Sequence, residues 1–264
     1  FSRVFFIFVE WMFYALHTTS IIYKLLKKGD MKIKGAKIII TGGSSGIGLA
    51  AAELLVKKGA QVVICGRNKK SLLEAAQQIG AIPIVADVTK ENEAIKLVKN
   101  AIKQMNGLDV LINNAGFGYF DLLQNIDVDK FKAILETNVT GAMLCGRECA
   151  KHFIKQQSGN IINIASTSGL RGHQNGTAYS TSKWALRGMT ECWREELRPY
   201  NVRVMMLHPS EVQTNFVVNS NRPKREFSNT KLEAQDIAHL IIAMLELRNV
   251  GFVTEAAVWS TNPK

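Results

Sequence analysis

Tyr179 and Lys183 stand four residues apart in Tyr179-Ser180-Thr181-Ser182-Lys183. On a helix this spacing puts both side chains on one face, a turn apart. A phenol titrates near pH ~10. A nearby ammonium favours the phenolate, which lowers that value and makes the hydroxyl a better acid and, in reverse, a usable base. Such a pair alone is more often a plain helix face than a proton-transfer site. The reading therefore turns on what the rest of the chain brings beside it.

The first half of the chain has the elements that would carry a nucleotide. Ala36 to Thr41 is a short apolar run that predicts a buried strand. It enters Gly42-Gly43-Ser44-Ser45-Gly46-Ile47-Gly48, and a helical pattern at Leu49, Ala52 and Val56 follows, ending at Gly59. Strand, glycine turn and helix form a phosphate cradle: glycines let the backbone approach a pyrophosphate, and the helix start supplies free N–H groups. The next strand, from Gln61, ends at Cys65-Gly66-Arg67-Asn68. An NAD site usually places an acid here for the ribose 2′-hydroxyl. Arg67 stands there instead, a planar donor set suited to a 2′-phosphate, with Ser44, Asn68 and Lys69 able to assist. NADP(H) is therefore favoured over NAD(H).

The alternation continues through a helix over 69–79, a strand over 82–86 and a helix over 91–105. A strand over 108–112 follows and closes on Asn113-Asn114-Ala115-Gly116. Asp87-Val88, at the end of the strand over 82–86, is placed to hydrogen-bond an adenine edge. Repeated strand–helix units with short connections predict an α/β fold, a Rossmann-type doubly wound parallel sheet of about seven strands in one domain. Ligands then bind at the carboxyl ends of the strands.

These motifs resemble the short-chain dehydrogenase/reductase family. Thr41 to Gly48 matches its TGxxxGxG element, Asn113 to Gly116 its NNAG element, and Tyr179 with Lys183 its YxxxK, in the same order across about residues 35–260. The chain resembles the 3-oxoacyl-carrier-protein reductase-like members of that family. The resemblance implies reversible hydride transfer between a nicotinamide and a carbonyl or secondary alcohol. Tyr179 is then the acid/base, Ser166 (thirteen residues earlier, ahead of Ser168) stabilises the substrate oxygen, and Lys183 also binds the nicotinamide ribose. Asn138, inside an expected long helix over 129–156, holds a relay water. The same resemblance assigns cofactor contacts to Gly42, Ser44, Ser45, Gly46, Ile47, Gly48, Asn114, Ala115 and Gly116. It extends them to Pro209, Val212 and Thr214 after a strand over 202–207. Ser210 departs from the usual Gly after that proline. The resemblance also implies a homo-oligomer. No metal is required.

Composition sets the remaining bounds. With 47% hydrophobic residues the chain is globular rather than disordered. A net charge of +11 raises nucleic acid as a partner, but no aromatic-studded basic cluster supports it. The same charge suits an anionic cofactor or carrier. Cys65, Cys145, Cys149 and Cys192 have no metal-ligand spacing and read as reduced thiols of a cytoplasmic protein. Residues 1–30 differ from the reductase domain over 31–264. Val4 to Leu16 is an apolar run broken only by Glu10, followed by Lys24, Lys27 and Lys28. Thirteen residues fall short of the ~20 that span a bilayer. Two readings stand: a helix contacting a membrane surface, or an upstream extension without chemical role. The stretch over 215–230 is polar, with Arg222, Lys224 and Arg225, and reads as a lid-like loop that contacts an anionic substrate or carrier, or as a solvated one. The substrate alternatives are a soluble or carrier-bound 3-oxoacyl thioester and a membrane-associated lipid, steroid or retinoid. A non-catalytic dinucleotide scaffold is the rival from another class.

Overall fold

A computed structural model describes residues 30–220, 222–223 and 226–262. The apolar segment up to residue 29, with Lys224 and Arg225, lies outside the described residues. Among the described residues, no helix is long and apolar enough to cross a membrane.

The order is β1 (Lys37–Thr41), α1 (Gly46–Lys57), β2 (Gln61–Gly66), α2 (Lys69–Ile79), β3 (Ile82–Val85), α3 (Glu91–Met105) and β4 (Val110–Asn113). Then come α4 (Val128–Leu135), a π-helical turn (Glu136–Gly141), α5 (Ala142–Gln156), β5 (Gly159–Ile164), α6 (Thr177–Leu197) and β6 (Val202–Pro209). The chain ends with β7 (Val212–Gln213), α7 (Phe216–Asn219), β8 (Leu232–Glu233), α8 (Ala234–Glu246) and β9 (Glu255–Val258). The main sheet runs β3-β2-β1-β4-β5-β6-β9, seven strands, all parallel.

Alternation along the strands fills both faces. Ile38 and Ile40 of β1 point into a core shared with Ala51 and Leu55 of α1 and with Ile237 and Ile241 of α8. Ile39 points the other way, into a core with Leu97 of α3 and with Cys145, Cys149 and Phe153 of α5. A sheet covered on both faces has continuous apolar runs in its strands, as Ile38 to Ile40 of β1 and Val204 to Leu207 of β6 show. The strand order reverses between β1 and β4, so their carboxyl ends open a crevice at the topological switch point.

Three expectations are corrected. The helix expected unbroken over 129–156 carries a π-helical turn at Glu136–Gly141. Thr137, Asn138, Val139, Thr140 and Gly141 are weak helix formers, and the Asn138 side chain is drawn to the Phe117 main chain instead. π-Turns of this kind cluster at functional sites. The strand expected over 251–258 shortens to Glu255–Val258. Upstream of it, Gly251 N donates to Arg248 O in a turn. The stretch over 215–230 contains α7, and its base is closed by β7 pairing with β8 and by the Gln213 amide, which donates to Ser228 O at 2.8 Å and accepts from Ser228 N at 2.7 Å.

Candidate active site

One cavity of about 730 Å³ opens over the carboxyl ends of β1, β4, β5 and β6. That size lies in the range of small-molecule sites. Its wall includes Gly42, Ser44, Ser45, Gly46, Ile47, Arg67, Asn114, Ala115, Gly116, Ser166, Tyr179, Lys183, Pro209, Val212 and Thr214. Fifteen of the sequence-predicted positions are thus brought together.

The first turn is built to meet an anion. α1 starts after Ser45 with no side-chain cap bond and no acid in its first turn, so its leading N–H groups and positive dipole end are available. Gly42 has φ +65°, and a Cβ there would sit 2.9 Å from Ala115 Cα. Only glycine allows this approach of two strand ends. Thr41 Oγ1 accepts from Asn114 N and from Ala115 N, each at 3.0 Å. Asn114 Nδ2 donates to the carbonyls of Thr41 and Gly42, also at 3.0 Å. These bonds fix the floor of the cavity. The uncapped helix start, the glycine contact and the cation Arg67 together fit a dinucleotide phosphate chain.

Asn68, Asp87 and Val88 lie outside the cavity wall. The Asn68 side chain caps α2, accepting from Ser71 N at 3.1 Å. The Asp87 carboxylate accepts from Thr89 N and Thr89 Oγ1. Val88 is buried against Gly141, where a Cβ would come within 2.7 Å of Val88 Cγ2. Gly48 is a packing glycine, since a Cβ would meet Asn114 Nδ2 at 2.4 Å.

On the opposite wall, Ser166 leaves the end of β5 and α6 carries Tyr179 and Lys183. Ser166, Tyr179 and Lys183 are buried. The Ser166 hydroxyl accepts from Ser168 N at 3.1 Å. Its carbonyl faces Nδ1 of buried His208 at 3.0 Å, and His208 Nε2 lies 3.4 Å from Glu255 Oε2. Arg187 of α6 in turn donates to Glu255 Oε1 at 3.1 Å. Lys183 Nζ donates to Ile164 O at 2.9 Å and lies 5.7 Å from the Tyr179 ring centroid. Asn138 is buried behind the cavity. Its amide donates to Phe117 O and to Ser182 Oγ, each at 3.0 Å, and accepts from Phe117 N at 3.1 Å.

The expectation that Lys183 lowers the Tyr179 pKa is corrected. Burial pushes Tyr179 up to about 12, while a Ser166 hydrogen bond and the Arg222 charge act in the lowering direction. Burial also brings Lys183 down to about 8, a weaker ammonium than its sequence implies. Tyr179 is therefore held protonated at neutral pH.

Sequence reasoning missed the aromatic part of the wall. Phe117, Phe120, His173 and Phe216 also line the cavity. Tyr179 lies against Phe120 and Phe216, with ring centroids 5.2 and 5.5 Å away, and Phe120 stacks on His173 at 6.0 Å. Arg222, read from sequence only as one of three loop cations, lines the cavity with its guanidinium carbon 4.2 Å from the Phe120 centroid.

Comparison with known proteins gives a consistent picture. A family model described as short chain dehydrogenase matches residues 36–225. An uncharacterized oxidoreductase of Staphylococcus aureus (strain MRSA252) is 35% identical over 210 residues, 78% of this chain and 89% of that protein. The crystal structure of a 3-ketoacyl-(acyl-carrier-protein) reductase from Brucella melitensis complexed with NADH superposes with a TM-score of 0.81 at 26% identity, covering 87% of this chain and 98% of that one. An alcohol dehydrogenase from the archaeon Thermococcus sibiricus, complexed with 5-hydroxy-NADP, gives a TM-score of 0.76 at 26% identity, covering 87% and 99%.

Proposed function

Because the chain belongs to the short-chain dehydrogenase family and so is an NAD(P)-dependent oxidoreductase of CH–OH and carbonyl groups, we propose that Tyr179 is its proton donor and acceptor. Ser166 and Lys183 work beside it, and Asn138 supports them. The observation that carries this is the meeting of Tyr179, Ser166 and Lys183 with the uncapped start of α1 on one cavity.

A bound nicotinamide dinucleotide supplies or accepts the hydride. The start of α1, Gly42 and Thr214 would hold its phosphates, and Lys183 its ribose. Arg67, with no acid beside it, favours the 2′-phosphate of NADP(H) over NAD(H). In reduction, Tyr179 Oη gives its proton to the carbonyl oxygen, and Ser166 Oγ donates a hydrogen bond to that oxygen as charge gathers on it. A phenol pushed up to about 12 holds its proton at neutral pH, which suits the reductive direction. Asn138 spends its side chain on Phe117 and Ser182. Its service is to keep the chain after β4 and the middle of α6 in register.

The substrate is a small carbonyl compound or alcohol. A 3-oxoacyl thioester is one candidate, by similarity to the Brucella reductase, and a membrane-associated lipid, steroid or retinoid is the alternative. A homo-oligomer is expected of the family, and exposed Trp184 on α6 offers a contact surface. Tyr179→Phe tests the central assignment. Turnover with NADPH should fall by three orders of magnitude or more, while NADPH still quenches protein fluorescence with similar affinity. Wild-type turnover in that variant refutes the role.

A further inference from the structure

The catalytic end of the cavity is aromatic. Phe120 and Phe216 lie against the Tyr179 ring, and Phe117 and Val217 add to the apolar surface. Into this wall the α7 segment brings a cation. Arg222 N donates to Val217 O at 3.2 Å, which ties its main chain to α7. Its guanidinium carbon stands 4.2 Å from the Phe120 centroid, at stacking distance. Phe120 is also the ring that leans on Tyr179. The cation is thus one aromatic ring away from the proton donor.

The wall carries other charged groups besides Arg222. Lys183 is bonded to Ile164 O, and Arg67 follows β2 at the phosphate end. Glu211, the acid of the wall, pairs with Lys231 at 3.7 Å. A guanidinium stacked on a ring presents a fixed fork of donors that matches a carboxylate. A neutral steroid or a thioester acyl chain makes no use of such a fork.

We propose that Arg222 is a substrate-specificity residue. It binds the carboxylate of an oxo acid (or of the corresponding hydroxy acid) while the carbonyl carbon sits against Tyr179 and Ser166. The assignment rests on the hydride-transfer reading above. It narrows the substrate class to small acids whose carboxylate lies about one ring-width from the reacting carbon. Charge balance agrees with it. Arg222 by itself pulls Tyr179 towards the phenolate, and a carboxylate seated on Arg222 offsets that pull, so substrate arrival leaves the tyrosine a protonated donor.

The test uses the whole chain with NADPH and matched acid, amide and methyl-ester triplets built on 4-acetylbenzoate, 4-oxopentanoate and 6-oxoheptanoate. The wild type should favour an acid over its amide by about tenfold or more in kcat/KM. Arg222→Met should collapse that ratio towards one, and Arg222→Lys, which keeps charge but loses the fork, should restore part of it. Melting curves of all three proteins check folding, and the lysine variant keeps the test alive if the methionine variant fails to fold. A wild-type ratio near one overturns the proposal, and so does a high ratio that survives in Arg222→Met. If no triplet is turned over, hydride transfer to such carbonyls is refuted separately. The acids are then titrated calorimetrically, and the absence of acid-over-amide binding that depends on Arg222 overturns the proposal. Better turnover of a 3-oxoacyl thioester than of any acid also overturns it.

Discussion

Lys183→Met should make the protein more stable at neutral pH while destroying its activity. Lys183 is 5% exposed, and burial brings its pKa from 10.5 to about 8. At ~1.36 kcal/mol for each factor of ten, holding this ammonium inside costs about 3 kcal/mol below pH 8. Methionine fills a similar volume without charge. The change removes the 2.9 Å bond to Ile164 O, worth ~1 kcal/mol. The net gain is therefore about 2 kcal/mol at pH 7. The sign follows from linkage. Between about pH 8 and 10.5 the unfolded chain still binds the lysine proton and the folded chain has released it, so wild-type stability rises with pH there relative to the variant. The advantage of the variant should shrink across this window, vanish near pH ~10 and then reverse, leaving only the lost hydrogen bond. Urea unfolding of both proteins at pH 7, 9 and 10 measures the difference, and titrations common to both cancel. A stability difference that does not change with pH refutes the argument from the buried charge. A variant less stable at every pH refutes it equally.

Other residues give shorter tests. Arg67→Asp should shift the NADPH-to-NADH ratio of kcat/KM by at least tenfold towards NADH, because the carboxylate repels a 2′-phosphate and accepts from a 2′-hydroxyl; an unchanged ratio removes Arg67 from the cofactor site. His208→Leu leaves the Ser166 carbonyl without its ring-nitrogen partner. It should cost ~1–3 kcal/mol in unfolding free energy and lower kcat more than it raises KM. His208→Asn, which keeps a donor, should recover part of kcat. Equal losses in both variants would show that only packing matters there.

The sheet was legible in the sequence because its strands are buried on both faces, and a run such as Ile38-Ile39-Ile40 has few other homes. The helices α2 and α3 matched their expected bounds because one face of each is apolar and the other charged. The π-turn was not legible. It depends on Asn138 reaching Phe117, twenty-one residues away, and no local pattern encodes that bond. The phosphate cradle was readable because glycine has few rivals at φ +65°. The substrate wall was not. Phe120 and His173 come from two loops and Phe216 and Arg222 from the α7 segment, and only the assembled sheet ends bring them together. Asn68 and Asp87 looked like cofactor ligands because a polar residue after a strand suits that task. It suits a helix cap or a tight turn equally well, and the structure uses them so.

The Tyr179–Lys183 pair shows where spacing misleads. Four residues on a helix bring two side chains to one face, and charge alone would then favour the phenolate. Burial acts on both groups against their charged forms, upward for the phenol and downward for the ammonium. The lysine also donates one of its three N–H bonds to Ile164 O at the end of β5. Lys183 keeps most of its charge at neutral pH, and that charge does not bring the tyrosine below its ordinary value. What remains to lower the tyrosine pKa is the Ser166 hydrogen bond and Arg222, a contact from the strand end and a charge from the substrate side. The acid strength of Tyr179 is therefore set first by burial and then by Ser166 and Arg222, and it should change when an anion reaches Arg222. A pH profile of alcohol oxidation reads this directly. Arg222→Met should move the limb along which oxidation of a neutral alcohol rises with pH to higher pH, because the charge favouring the phenolate has gone. A limb that stays in place would return the tuning to Lys183.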